Sequence, residues 1–127
     1  MEFKKTESIY EQIASSVREN ILDQVWKEGD RIPSVRETAG NIQVNPNTVM
    51  RTYSLLQDQG IIFNKRGIGY FISDGARSKT IKMKREIFNQ EFLPELFKLV
   101  DQLDISWEDV QKSFLNWKKS ANHENQH

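Results

Sequence analysis

The segment from Arg31 to Ile72 carries its own punctuation, and that punctuation leaves room for few folds. Ser34-Val35-Arg36-Glu37 follows Pro33 with the spacing of a capping box, in which a hydroxyl and a carboxylate satisfy free N–H groups at a helix start. The helix it opens is short, reaching Asn41 or Ile42, and Gln43-Val44-Asn45 makes a turn. Asn45 caps the next helix, Pro46 takes its first position, and Gly60 suits the left-handed site that ends it after Gln59. Ile61–Asn64 and Gly69–Ile72 are rich in β-branched and aromatic residues, and Lys65-Arg66-Gly67-Ile68 joins them into a hairpin with a basic tip. Two helices about a tight turn, followed by a hairpin, are the parts of a winged helix-turn-helix in chain order.

An earlier helix supplies the missing wall of the core. Ser8-Ile9-Tyr10-Glu11 is a second capping box, and Ile9, Ile13, Val17 and Ile21 recur every four residues, broadened by Tyr10, Ala14 and Leu22. The pattern predicts a helix from Ile9 to about Val25, broken by Gly29-Asp30. On the third helix, Val49, Tyr53 and Leu56 share one face, while Asn47, Arg51, Ser54 and Asp58 share the other, with Thr48 beside Asn47. The apolar face must bury itself against the first two helices. The polar face is therefore presented outward, as a helix that enters a major groove requires.

After a linker over Ser73–Ser78, two more helices are expected. The first spans about Lys79–Leu103 with Phe88, Phe92, Leu96, Leu99 and Val100 as its stripe. Pro94 lies inside it and predicts a kink or break near Gln90–Leu93. The second starts at Ser106-Trp107-Glu108-Asp109 and carries Trp107, Val110, Phe114 and Trp117, and Ala121–His127 read as a frayed polar end. Two such helices cannot bury both stripes on each other, and the apolar surplus points to self-association. The fold expected is mainly α with a small β-hairpin: a winged helix-turn-helix over 1–75 and a two-helix dimerisation segment over 76–127.

The chain of 127 residues has no cysteine, which excludes disulfides and thiolate metal sites and agrees with a reducing cytoplasm. No apolar run approaches a membrane span, and Met1–Lys5 lead into no apolar signal core. Net charge is zero, with 18 cations and 18 anions, which at first argues against nucleic acid. The charges are clustered, however. Arg77, Lys79, Lys82, Lys84 and Arg85 stand without an acid among them, and Arg51, Lys65 and Arg66 face only Asp58 over 45–72. A local basic face binds phosphate in a neutral molecule.

The candidate DNA-binding residues are Arg36, Asn45, Asn47, Thr48, Arg51, Lys65, Arg66 and Gly67. Asn47 pairs a donor and an acceptor, the pattern that matches adenine N6 and N7. Thr48 suits a phosphate or a thymine methyl, and Arg51 a guanine or a phosphate. Asn45 serves first as a cap. Arg36 has an alternative use in pairing with a carboxylate such as Glu37, and Lys65 and Arg66 in simple solvation; their wing setting favours phosphate or minor-groove contact. Catalysis has no motif: His123 and His127 fall in the frayed end, and Gly67-Ile68-Gly69 lacks the phosphate-binding pattern. No cofactor or metal site is expected.

Ile9-Tyr10-Glu11-Gln12-Ile13, Gly29–Glu37, Val44–Val49, then Tyr53, Leu56, Gly60 and Arg66–Ile72 together resemble the DNA-binding domain of the GntR family of bacterial repressors, over half the chain. The resemblance implies DNA contact by Arg36, Asn47, Thr48, Arg66 and the wing-tip Gly67. About 55 residues follow Ile72, and a two-helix tail of that size resembles the YtrA-type subfamily. That implies a homodimer built through the C-terminal helices and repression of operons often encoding ABC transporters. Met50 stands where some relatives have an arginine, which removes a contact; Thr38 replaces a usual leucine, weakening the local core; Gln59 replaces a common glutamate with little consequence. The function expected is sequence-specific regulation of transcription, as a repressor on a palindromic operator read by helix 45–59 and wing 61–72. The rival is a winged-helix protein–protein adaptor. An effector is left open, because the tail is too small to enclose a ligand pocket alone.

Overall fold

The computed structural model describes residues 8–125, which form two compact units dividing between Glu86 and Ile87. The composition of Met1–Lys5 and the position of His127 lie outside the described residues. Among those described, no helix is long and apolar enough to cross a membrane.

The first unit opens with α1, Ile9–Leu22, whose Ser8 hydroxyl accepts from the Glu11 N–H. Ile13, Ala14, Val17 and Ile21 are buried, but Ile9 overhangs the core and is exposed. The helix stops three residues short of the expected Val25. Gln24 turns left-handed at φ 60°, and the N–H groups of Val25 and Trp26 both fold back to the Asn20 carbonyl. This returns Trp26 to the core while Val25 stays in solvent.

Helix α2, Val35–Ile42, starts with the complete capping box of Ser34 and Glu37, and Gln43 ends it in the left-handed region. Helix α3, Pro46–Asp58, has Asn45 as its cap and buries Val49, Thr52, Tyr53 and Leu56. Tyr53 is the largest of the fully buried side chains, and its hydroxyl is satisfied twice. It donates to the Pro33 carbonyl at 2.7 Å and meets the Thr38 hydroxyl at 2.9 Å. The half-buried Thr38 thus gives the Tyr53 hydroxyl a polar partner. Gln59 is engaged as well, since its side-chain oxygen accepts from Arg18 at 3.2 Å.

Strands β1, Ile62–Lys65, and β2, Gly69–Ile72, pair antiparallel with Ile62 opposite Ile72 and Lys65 opposite Gly69. The first strand sits one residue later than expected, because Ile61 is wholly buried where the chain leaves α3. The other edge of β2 is also occupied. Residues 29–32 lie along it, with Arg31 bridging Phe71, Gly29 N–H bonded to the Ile72 carbonyl, and Ile32 N–H to the Tyr70 carbonyl. A single bridging residue two positions before a proline gives no strand signal in the sequence.

The expected linker shrinks to 73–75. Helix α4, Ala76–Ile87, begins three residues before Lys79 because Ala76 and Thr80 are fully buried on the core, and the Thr80 hydroxyl returns to the Ala76 carbonyl at 2.8 Å. Lys79 reaches the Gly60 carbonyl, and Lys84 pairs with Glu19 of α1.

The second unit opens with a π turn over Phe88–Phe92, where Leu93 N–H reaches back five residues to the Phe88 carbonyl. The ladder slips immediately before Pro94, which has no N–H to give, so the break falls where the proline predicts it. Helix α5, Leu93–Gln102, and helix α6, Trp107–Asn125, follow. Nothing in Ala121–Asn125 breaks a helix, so α6 runs through most of the stretch expected to fray. Phe97 and Trp107 touch at 6.2 Å between ring centres, as do Phe114 and Trp117, yet all four are more than half exposed.

Candidate nucleic-acid interface

Burial of one face of α3 decides what the other face offers. With Val49, Thr52, Tyr53 and Leu56 turned inward, Asn47, Met50, Arg51, Ser54 and Asp58 are left exposed. The start of the helix is fixed chemically. The Asn45 side-chain oxygen accepts the Asn47 N–H at 2.8 Å, so Asn45 is occupied as a cap and the Asn47 side chain is not.

Arg36 and Asn47 come together. Both line one shallow depression of about 380 Å³, with Ser34, Val35, Pro46, Met50 and Tyr70 as the remaining wall. Arg36 keeps its charge available there, because Glu37 is committed to the Ser34 cap and pairs with nothing else among the described residues. That cap holds the Glu37 carboxyl below its ordinary range, first through the Ser34 backbone N–H, then the Ser34 hydroxyl, with a smaller pull from Arg31. Arg51 is drawn elsewhere. Its guanidinium sits over the Tyr10 ring at 5.1 Å from the centroid, on the α1 side of the helix. Thr48 is half-buried beside Asn47.

The wing tip forms a separate part. Ile68 N–H closes the turn on the Lys65 carbonyl at 2.9 Å, and Gly67 takes φ +79° with open space where a side chain would be. Glycine is needed here for its backbone angle and not for room. The two cations diverge: Lys65 lies over the Phe71 ring at 5.2 Å, whereas Arg66 stands at the exposed tip.

Two residues outside the candidate set fasten the wing to the helices. Tyr70 meets Tyr53 edge-on, with ring centres 4.9 Å apart, and its hydroxyl points to the Met50 sulfur at 3.9 Å. Arg31 lays its guanidinium against Gly69, whose missing side chain leaves the space. The sequence signal for Tyr70 was its place two residues before the buried Ile72, on the same side of β2; Arg31 had none.

Tyr53 gives the scaffold a measurable signature. Burial raises its pKa, the Thr38 hydrogen bond opposes that, and the nearby Tyr70 and Glu37 add to it. An unfolded tyrosine titrates near pH 10, about the ordinary value. With the folded value raised, the stabilisation is complete below that pH and is lost as pH climbs through the folded value. Tyr53→Phe is expected to cost about 1–2 kcal/mol by stranding the Pro33 carbonyl and the Thr38 hydroxyl. It should also remove part of the alkaline loss. Thermal melts of both proteins between neutral pH and pH 11 check this; identical alkaline profiles would count against it.

The family model for bacterial regulatory proteins of the gntR family matches residues 9–72. The HTH-type transcriptional repressor YtrA of Bacillus subtilis (strain 168) is 41% identical over 83 residues, covering 65% of this chain and 64% of that one. The match therefore spans just under two thirds of that repressor. The uncharacterized HTH-type transcriptional regulator YhcF of the same strain is 32% identical over 109 residues, 86% of this chain and 88% of its own. A GntR-family transcriptional regulator from Bacteroides thetaiotaomicron has a similar structure, with a TM-score of 0.73 at 38% identity over 90% of this chain and 99% of that one.

Proposed function

The chain belongs to the gntR family of bacterial regulatory proteins, DNA-binding regulators of transcription and not enzymes, and on that premise we propose that it is a homodimeric repressor of a palindromic operator. Residues 1–75 would bind DNA and residues 76–127 would join the subunits. The observation that carries the reading is the outward face of α3, which leaves Asn47 free at the helix start beside Arg36. In this reading α3 enters a major groove and the wing lies along the adjoining backbone. Asn47 and Thr48 read base edges. Arg36, Arg51, Lys65 and Arg66 hold phosphates, Gly67 gives the wing tip the turn that presents Arg66 to DNA, and Asn45 presents the helix start. The exposed aromatic rings of α5 and α6 support self-association, since a solitary protein rarely leaves so many in water.

Selection from a random pool of duplexes tests the proposal. One palindromic sequence, with half-sites about a helical turn apart, is expected to emerge. An adaptor of proteins would enrich none. Arg66→Ala then separates positioning from reading. It should weaken binding about equally on all sequences and lower the slope of log affinity against log salt by about 0.9 per lost phosphate contact. An unchanged slope would remove Arg66 from the interface.

A further inference from the structure

We infer that Met50 determines specificity at this interface by reading the C5 methyl group of a thymine next to the base pair taken by Asn47. The inference rests on the DNA-reading function proposed above and adds a residue and a base to it. Met50 is three residues from Asn47, so the two are neighbours on one side of α3, and both line the depression shared with Arg36 and Tyr70. Nearly half of the Met50 surface, 47%, is exposed on a helix face that is otherwise polar. A thioether has no N–H or O–H to offer, so it cannot bond guanine or grip a phosphate. The apolar group a major groove displays is the thymine methyl.

The side chain is also held. Its sulfur lies 3.9 Å from the Tyr70 hydroxyl, and Tyr70 is fixed edge-on against the buried Tyr53. With the sulfur anchored toward the wing, the terminal methyl is the free end. That contact turns the side chain toward the wing, and the apolar end it leaves outward is what can meet a base. Asn47 favours adenine, so the two side chains together select an adjoining adenine and thymine.

The experiment uses the sequence selected from the duplex pool and replaces its thymines one at a time by deoxyuridine, which removes the methyl and keeps the pairing. One position in each half-site should weaken the wild-type protein about fourfold, the equivalent of about 0.8 kcal/mol for one buried methyl. Met50→Ala removes the side chain from both subunits, so it should bind the thymine duplex as weakly as the wild type binds a duplex with uracil at that position in both half-sites, about sixteenfold below the original, and be indifferent to the exchange there. Met50→Leu keeps apolar bulk and should keep the discrimination. If a sequence is selected but the wild type ignores every uracil, or Met50→Ala keeps the same sensitivity, the inference is wrong and the DNA-reading function stands. If no sequence is selected, both fall together.

Discussion

With α5 and α6 as the proposed dimer surface, Phe114→Glu combined with Trp117→Glu is expected to leave the protein monomeric and to lower its affinity for a two-half-site operator by about 100-fold or more. The two rings are neighbours on α6, more than half exposed, and their nearest aromatic contact is with each other. A charged carboxylate placed where an apolar partner must sit carries its desolvation cost into the interface. Once the subunits separate, each half-site is bound alone, and the gain from linking two binding events is lost, a factor of about 10² to 10⁴. Light scattering gives the mass and a duplex titration gives the affinity. The variant should still bind a single half-site as weakly as wild type does, which separates lost pairing from lost folding. A variant that remained dimeric, or a monomer that held the full operator tightly, would refute the assignment of α5 and α6 as the dimer surface.

The second large effect belongs to Asn47→Ala. The Asn45 cap takes its hydrogen bond from the backbone of Asn47 and not from its side chain, so the helix start survives the substitution. The loss is therefore one of reading: about 1–3 kcal/mol at a single base pair if the pairing with adenine is bidentate. Both subunits lose the contact together, so affinity for the selected two-half-site operator should fall by about 30-fold or more, and the four possible base pairs at that position should become nearly equivalent. Repeating the pool selection with the variant measures both. Retained preference at every position would show that Asn47 does not read DNA.

How far the molecule was legible depended on the range of the interaction that set each feature. The starts of α1, α2 and α3 were readable because Ser8, Ser34 and Asn45 act on residues two or three positions away. Pro94 announced its own break for the same reason. The start of α4 was hidden, since what holds it is the burial of Ala76 and Thr80, small residues set among cations that give no apolar stripe. The pairing of residues 29–32 was hidden too, because it exists only by virtue of β2, some forty positions later. Among the candidate site residues, the outward direction of Asn47 followed from helix period. The seating of Arg51 on Tyr10 did not, because it depends on how α1 crosses α3.

The pairing of residues 29–32 along β2 has a bearing on how the protein survives in a crowded solution. A bare hairpin offers two rows of unsatisfied N–H and C=O groups, and each is a template on which another chain can add a strand. Here one row is taken by the molecule's own chain, through the bonds at Gly29, Ile32 and Ile72. The row left open belongs to β1, which is four residues long and ends in Lys65. A brief edge finished by a cation is a poor seed for strand addition. The segment that anchors the wing therefore also guards it against amyloid-like growth.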